Sequence, residues 1–191
     1  MLSVAVVLAA GIGAVAVEDP GWHRLRQAVV AAGLRVVPVP VDGHGLRVGD
    51  LEDHPDVRAV IVSPTHQFPT GVVLSAGRRA ALLAWARRVD GLILEDDYDA
   101  EFRYDRRPVG TMQGADRSRV VLLGSVSKTL SPTLRLGYLV VPGRRLPSSH
   151  AAAHVYACFF QLRRVHNDVS MVHKLVDESF AMRVLAPTYA P

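Results

Sequence analysis

Short apolar runs alternate with amphipathic stretches along this chain, and a polar cluster follows almost every run. Ala14 to Val17 reads as a short buried strand that ends at Glu18-Asp19-Pro20-Gly21. Leu25, Ala28, Val29 and Ala32 then recur at helical spacing, and Gly33 closes that helix. Arg35 to Val41 is rich in valine, and its Pro38 and Pro40 predict an edge or irregular strand. Asp42-Gly43-His44-Gly45 predicts a turn, and Val57 to Val62 a further strand leading into Ser63-Pro64-Thr65-His66-Gln67-Phe68-Pro69-Thr70-Gly71. Ser75 predicts the cap of an amphipathic helix with Leu82, Trp85, Ala86 and Val89 on its buried face. Arg78, Arg79, Arg87 and Arg88 fall largely off that face and are expected to be solvated. Asp90-Gly91 stops the helix, and Leu92 to Leu94 begins a buried strand that runs into Glu95-Asp96-Asp97-Tyr98. Val120 to Leu123 is the next strand and delivers Gly124 to Lys128; Leu136 to Val141 follows. Beyond Pro142 the pattern changes: Ala152, Val155, Tyr156 and Phe159 read as one helix face, and Val169, Val172 and Val176 as another.

Strands alternating with helices predict an α/β fold, a mostly parallel sheet covered by helices. In such sheets ligands collect at the carboxyl ends of strands. The polar motifs of this chain follow the strands ending near Val17, Val62, Leu94 and Leu123, where that rule would put a site. A length of 191 residues fits one domain with a real core, and 49% hydrophobic with 21% charged residues excludes a disordered chain. Leu2 to Val17 carries no charge, but no basic segment precedes it and Gly11 and Gly13 break it, so it reads as a buried helix end, a turn and a strand rather than a leader or a membrane span. The net charge of +4 is spread along the chain without a basic block, which gives little support to nucleic-acid binding. A single cysteine, Cys158, excludes an intramolecular disulfide and suits a reducing, cytoplasmic setting.

Among twenty-two basic residues only Lys128 and Lys174 are lysines. Arginine replaces lysine where charge alone is needed, but not where an amine must lose its proton and attack a carbonyl. Lys128, flanked by small hydroxyl residues, is therefore either a Schiff-base lysine or an incidental surface residue. A pyridoxal phosphate cofactor needs such an amine, a carboxylate for its pyridine nitrogen, a donor for its phenolic oxygen, hydroxyls and an arginine for its phosphate, and an apolar lid. Asp96 and Tyr98 stand two apart at a strand end and so share a side of the sheet. Ser125, Ser127 and Arg135 flank Lys128, and Trp22 follows a strand end. Each of these alone has an ordinary structural reading, as a cap, turn, core or surface residue; their joint occurrence in this order outweighs it.

Four ordered motifs carry a specific resemblance: Glu18-Asp19-Pro20-Gly21-Trp22, Pro64-Thr65-His66-Gln67-Phe68-Pro69-Thr70-Gly71, Glu95 to Tyr104, and Ser125-Val126-Ser127-Lys128-Thr129-Leu130-Ser131-Pro132. Over roughly Val15 to Pro142 the chain resembles class I/II aminotransferases of fold type I, most of all the aminotransferase-like domain of MocR-type regulators in the GntR family. The resemblance implies pyridoxal 5′-phosphate as cofactor. It implies that Lys128 bonds the cofactor aldehyde and shuttles a proton, that Asp96 pairs with the pyridine nitrogen, and that Tyr98 bonds the phenolic oxygen. It further implies that Trp22 stacks on the ring and that Ser125, Ser127 and Arg135 hold the phosphate. The implied reaction is amino-group transfer between an amino acid and a 2-oxo acid.

The departures are as specific. The asparagine that many aminotransferases carry before Pro-Thr-Gly is Phe68, as in the regulator branch. The glycine- and hydroxyl-containing phosphate loop and the arginine that clamps a substrate carboxylate are not recognisable, so the expectation is a central fragment. Residues 1–142 would be an incomplete large domain, and 143–191 an unassigned helical C-terminal segment. The alternatives to an impaired enzyme are an effector-binding fragment of a MocR-type regulator without its DNA-binding domain, or an inactive remnant. The expected partner is a small-molecule amino acid or amine, with a homodimer left open from the family habit. No membrane, and for this chain alone no nucleic acid, is expected.

Overall fold

The computed structural model describes residues 13–31, 33–98, 110–125, 136–142 and 155–159, the backbone alone for 125, 136–139 and 155–159. In chain order these form β1 (Ala14–Asp19), α1 (His23–Ala31), β2 (Arg35–Asp42), β3 (Gly45–Leu46), a 3-10 turn (Val48–Asp53), β4 (Val57–Val62), α2 (Ala76–Arg88), β5 (Leu92–Asp97), the short α3 (Met112–Ala115), β6 (Val120–Ser125), β7 (Leu136–Val140) and β8 (Val155–Phe159).

The strands make one sheet in the order β3-β2-β1-β4-β5-β6-β7-β8. β2, β1, β4, β5 and β6 run parallel, and β3, β7 and β8 pair antiparallel. The central strands are buried on both faces, which is why they read as unbroken apolar runs. Ala14, Ala16, Val60, Val62 and Ile93 face Leu82, Trp85 and Ala86 of α2. Val15, Val17, Ala59, Ile61, Leu92 and Leu94 face the opposite way, onto Val29 of α1. The α/β reading of the sequence is therefore realised as a sheet between two helical layers. From β1 the chain goes out to β2, then crosses back to β4 on the other side of β1, so the strand order reverses between β1 and β4. Open sheets of this kind bind ligands at such a reversal, outside the carboxyl ends of the strands, here β1 and β4.

Most elements fall where the sequence pattern puts them. β2 is an edge strand except where Val41 and Asp42 pair with the two residues of β3. Its prolines lie on that open side: the Pro40 carbonyl points away from β1 and accepts from the Arg47 backbone N–H at 2.9 Å. A strand residue's N–H and C=O share a side, so neither proline breaks the ladder with β1. Ser75 caps α2, its hydroxyl accepting from the Arg78 N–H at 3.3 Å.

Two expectations are corrected. Arg78 and Arg79 are half-buried ties, not a solvated face. Arg78 reaches the Leu46 carbonyl at 2.6 Å and the Asp42 carboxylate at 2.8 Å. Arg79 holds the carbonyls of Leu74, Pro64 and Gly110 at 3.0 Å each. Position on a helical wheel gives the direction of the Cβ, but an arginine is long enough to lie back over a neighbouring loop. The second correction is Val155–Phe159, read as part of a helix face, which forms β8, antiparallel to β7. Five residues rich in β-branched and aromatic types satisfy a strand as well as a helix spacing, and pairing with β7 decides it. Residues 160–191, including Val169, Val172 and Val176, and residues 1–12 lie outside the described residues.

Candidate functional site

The carboxyl end of β1 is tightly built. The peptide Asp19–Pro20 is cis. Gly21 packs so closely that a Cβ there would stand 2.3 Å from the Glu18 carbonyl oxygen, closer than any real Cβ contact. Arg26 of α1 reaches back to the same carbonyl at 2.9 Å and to the Asp19 carboxylate at 2.6 Å. Trp22 follows, immediately before α1, with its carbonyl accepting the Leu25 N–H at 3.0 Å. Its ring is 41% exposed, an unusual state for tryptophan beside a buried strand end.

The loop after β4 folds over this end. Gln67 is 1% exposed and is its centre. The Gln67 side-chain amide donates to the carbonyls of Pro20 at 2.8 Å and Phe68 at 2.7 Å. Its oxygen accepts from the Thr70 N–H at 3.1 Å and the Thr70 hydroxyl at 2.5 Å. The Phe68–Pro69 peptide is cis, and Phe68 itself is exposed. Thr65 bonds Asp97 at 3.3 Å across to β5.

The acidic end of β5 divides its work. Glu95 is buried and accepts the Met112 and Gln113 N–H groups at 2.9 Å each, anchoring the start of α3. Asp96 and Tyr98 are half-buried. The Tyr98 hydroxyl donates to the His66 carbonyl at 2.9 Å, and the two rings stack with centroids 6.2 Å apart. A phenolic oxygen of a ligand would thus meet Tyr98 either as a competitor for its proton or as a donor to its lone pairs. On the next strand Leu123 pairs with Asp96 and Gly124 with Asp97, so the Ser125 backbone ends at the same edge. Lys128, Ser127 and Arg135 lie outside the described residues.

Burial pushes the Glu18 carboxyl up to about 7; the Ser63 N–H and Gln67 side chain oppose this, and the negative charge of Asp96 adds to it. The opposition is weak because the Ser63 bond is 3.3 Å and the Gln67 contact 3.5 Å. Burial also pushes Glu95 up, against its two backbone bonds. The Glu18 carboxyl can therefore hold a proton near neutral pH, and the charge of Asp96 favours that form.

Of the residues singled out from sequence, Trp22 follows the carboxyl end of β1, Asp96 and Tyr98 stand at the carboxyl end of β5, and the Ser125 backbone ends the neighbouring β6. Sequence reasoning passed over Glu18 and Gln67. Glu18 could have been found by position, as a polar residue just after an apolar run on a strand that flanks the topological reversal; Gln67, in the loop beyond β4, could not.

Known proteins match this chain in sequence and fold. The family model for aminotransferase class I and II matches residues 2–171. The uncharacterized HTH-type transcriptional regulator YdeL of Bacillus subtilis is 40% identical over 151 residues, covering 76% of this chain and 32% of that protein. The probable rhizopine catabolism regulatory protein MocR of Rhizobium meliloti is 42% identical over 126 residues, 65% of this chain and 25% of that protein. The chain thus spans a third or less of the length of these relatives. Among solved structures, the kynurenine aminotransferase of Pyrococcus horikoshii superposes with a TM-score of 0.65 at 29% identity, over 72% of this chain and 37% of that one.

Proposed function

This chain belongs to the class I and II aminotransferase family, and on that premise we propose that it is a pyridoxal-5′-phosphate-binding domain built for amino-group transfer between an amino acid and a 2-oxo acid. The family implies the cofactor, and the kynurenine aminotransferase was solved with PMP, its aminated form. The described residues fit such a group. An exposed indole, a half-buried carboxylate and a phenol stand at carboxyl ends of parallel strands of one sheet, and their chemistry complements a flat, protonated, hydroxylated ring. The placing of Trp22, Asp96 and Tyr98 at that end of the sheet is the observation that supports the reading most.

When bound, the cofactor supplies an electron sink for the pair left on the substrate α-carbon. The chain's own residues do the rest in this proposal. Asp96 keeps a proton on the ring nitrogen, and a neutral Glu18 leaves Asp96 the nearby anion. Trp22 covers one ring face and excludes water from it. Lys128 would hold the cofactor through its amine and, once the incoming substrate amine displaces it, would be free to take and return the proton at the substrate α-carbon. Ser125, Ser127 and Arg135 hold the phosphate by charge and hydroxyl bonds.

One observation favours a second reading, an effector-binding module in which the lysine serves recognition rather than turnover. Phe68, which is exposed, occupies the position of the aminotransferase asparagine, and the regulators YdeL and MocR are among the most similar relatives. Titration of the purified chain with pyridoxal phosphate separates the two. A visible band that forms and is then bleached by an amino acid, with a 2-oxo acid restoring it, supports transfer. A band that an amino acid shifts without turnover supports the sensor. No band at all contradicts both.

A further inference from the structure

We propose that Gln67 is a positioning residue: its buried amide clamps the Pro20–Trp22 loop to the Phe68–Thr70 turn and thereby fixes where the Trp22 indole stands. The functional weight of this clamp rests on the reading of Trp22 as a stacking residue; the clamp itself does not.

A buried amide is costly unless its hydrogen bonds are made. Gln67 makes them all to loop groups. Both amide hydrogens go to carbonyls, Pro20 at 2.8 Å and Phe68 at 2.7 Å, and both oxygen lone pairs to Thr70 at 3.1 and 2.5 Å. The orientation is forced, because a flipped amide would set its oxygen against two carbonyls and its hydrogens against the Thr70 N–H. The two loops it joins are far apart in sequence, Pro20 being 47 residues from Gln67.

The Trp22 carbonyl accepts the Leu25 N–H at 3.0 Å, which fixes its backbone but not its ring. Its ring is 41% exposed, so packing against the described residues covers only part of it. Its backbone is set also by what precedes it: the Pro20 carbonyl on Gln67, and Gly21 pressed onto the Glu18 carbonyl. Arg26 adds a tie to Asp19, between side chains 31% and 51% exposed and screened by solvent, and one to the Glu18 carbonyl at 2.9 Å. Gln67, at 1% exposed, is the driest of these groups. Because both of its hydrogens are committed to carbonyls, it gives Glu18 only a 3.5 Å contact, which accounts for that carboxyl being poorly compensated.

The test uses the full chain labelled with 5-fluorotryptophan. It has two tryptophans, Trp22 and Trp85, so fluorine NMR gives one resonance just past β1 and one in the core, where Trp85 is 2% exposed. Gln67→Met keeps the volume and removes every bond of the clamp. The expected result is a Trp22 resonance moved toward that of free fluorotryptophan, an unmoved Trp85 resonance, and pyridoxal phosphate binding weakened at least tenfold. Arg79→Met, which loosens the same loop from the Pro64 and Leu74 side, is expected to leave the Trp22 resonance in place. Should Gln67→Met fail to fold, Thr70→Val removes one partner of the amide and is expected to move Trp22 in the same direction by less. An unmoved Trp22 resonance in the folded variants, or Trp22 and Trp85 moving together, overturns the clamp. If the wild type binds no pyridoxal phosphate, the cofactor reading fails, and the two resonances still decide the clamp.

Discussion

The backbone N–H of Ser63 donates to the carboxyl of Glu18 across 3.3 Å, joining two residues 45 apart at the ends of neighbouring strands. Among the described residues it is the shorter of the two bonds that the carboxyl of buried Glu18 receives, and burial raises that carboxyl from 4.5 to about 7. The sign of the consequence is fixed by linkage. Between those values the folded chain holds a proton that the unfolded chain has lost, so stability falls as pH rises through that window and levels off above it. The shift corresponds to about 3 kcal/mol. Glu18→Gln mimics the protonated form and should abolish this share of the decline. Urea unfolding of both proteins at pH 5 and pH 8 checks it: the variant should be close to wild type at pH 5 and more stable at pH 8. An equal pH dependence of the two proteins contradicts the assignment.

The other buried carboxyl should respond in the opposite way. Glu95 spends one oxygen on each of two backbone N–H groups at 2.9 Å. Glu95→Gln sets an NH2 against one of them, and leaving that donor unpaired costs about 1–3 kcal/mol. Denaturant unfolding at pH 7 should show Glu95→Gln destabilised while Glu18→Gln is not.

Gly21→Ala should be poorly tolerated although the residue is not in a glycine-only backbone region. The added Cβ meets the Glu18 backbone carbonyl at 2.3 Å, and backbone cannot swing aside as a side-chain tip can. A loss of about 1–3 kcal/mol is expected, the usual cost of overpacking. Pyridoxal phosphate titration of the variant should also show weaker binding, because the strain is relieved by moving Trp22.

Asp96→Asn removes the charge proposed to hold a proton on the ring nitrogen. Pyridoxal phosphate affinity should drop by roughly tenfold or more, about 1.4 kcal/mol. Spectrophotometric titration reads the affinity, and wild-type affinity in Asp96→Asn would sink the role given to Asp96.

Much of this architecture is legible in the chain, and the illegible parts share a cause. Val57–Val62, Leu92–Leu94 and the face Leu82, Trp85, Ala86 are visible because burial on a regular element imposes a period. That Asp96 and Trp22 stand at strand carboxyl ends follows from their position at the end of such runs or shortly past it. What a period cannot show is which of several adjacent acids is buried. Glu18 and Asp19 differ by one residue, yet one is buried and the other half exposed on Arg26. Gln67 is unreadable for the same reason, since its partners come from a loop 47 residues away. Arg78 and Arg79 mislead because side-chain reach exceeds the helical wheel, and Val155–Phe159 because so short a run fits either period.

Lys128 is proposed as the cofactor lysine, acting with Trp22, Asp96 and Tyr98. The most direct measurement is borohydride reduction of the chain mixed with pyridoxal phosphate, followed by digestion and mass spectrometry of the labelled peptide. One saturable label at Lys128 is expected, with Lys174 unlabelled, and loss of the visible band in Lys128→Ala. Label divided between the two lysines, or a band that survives Lys128→Ala, would contradict it.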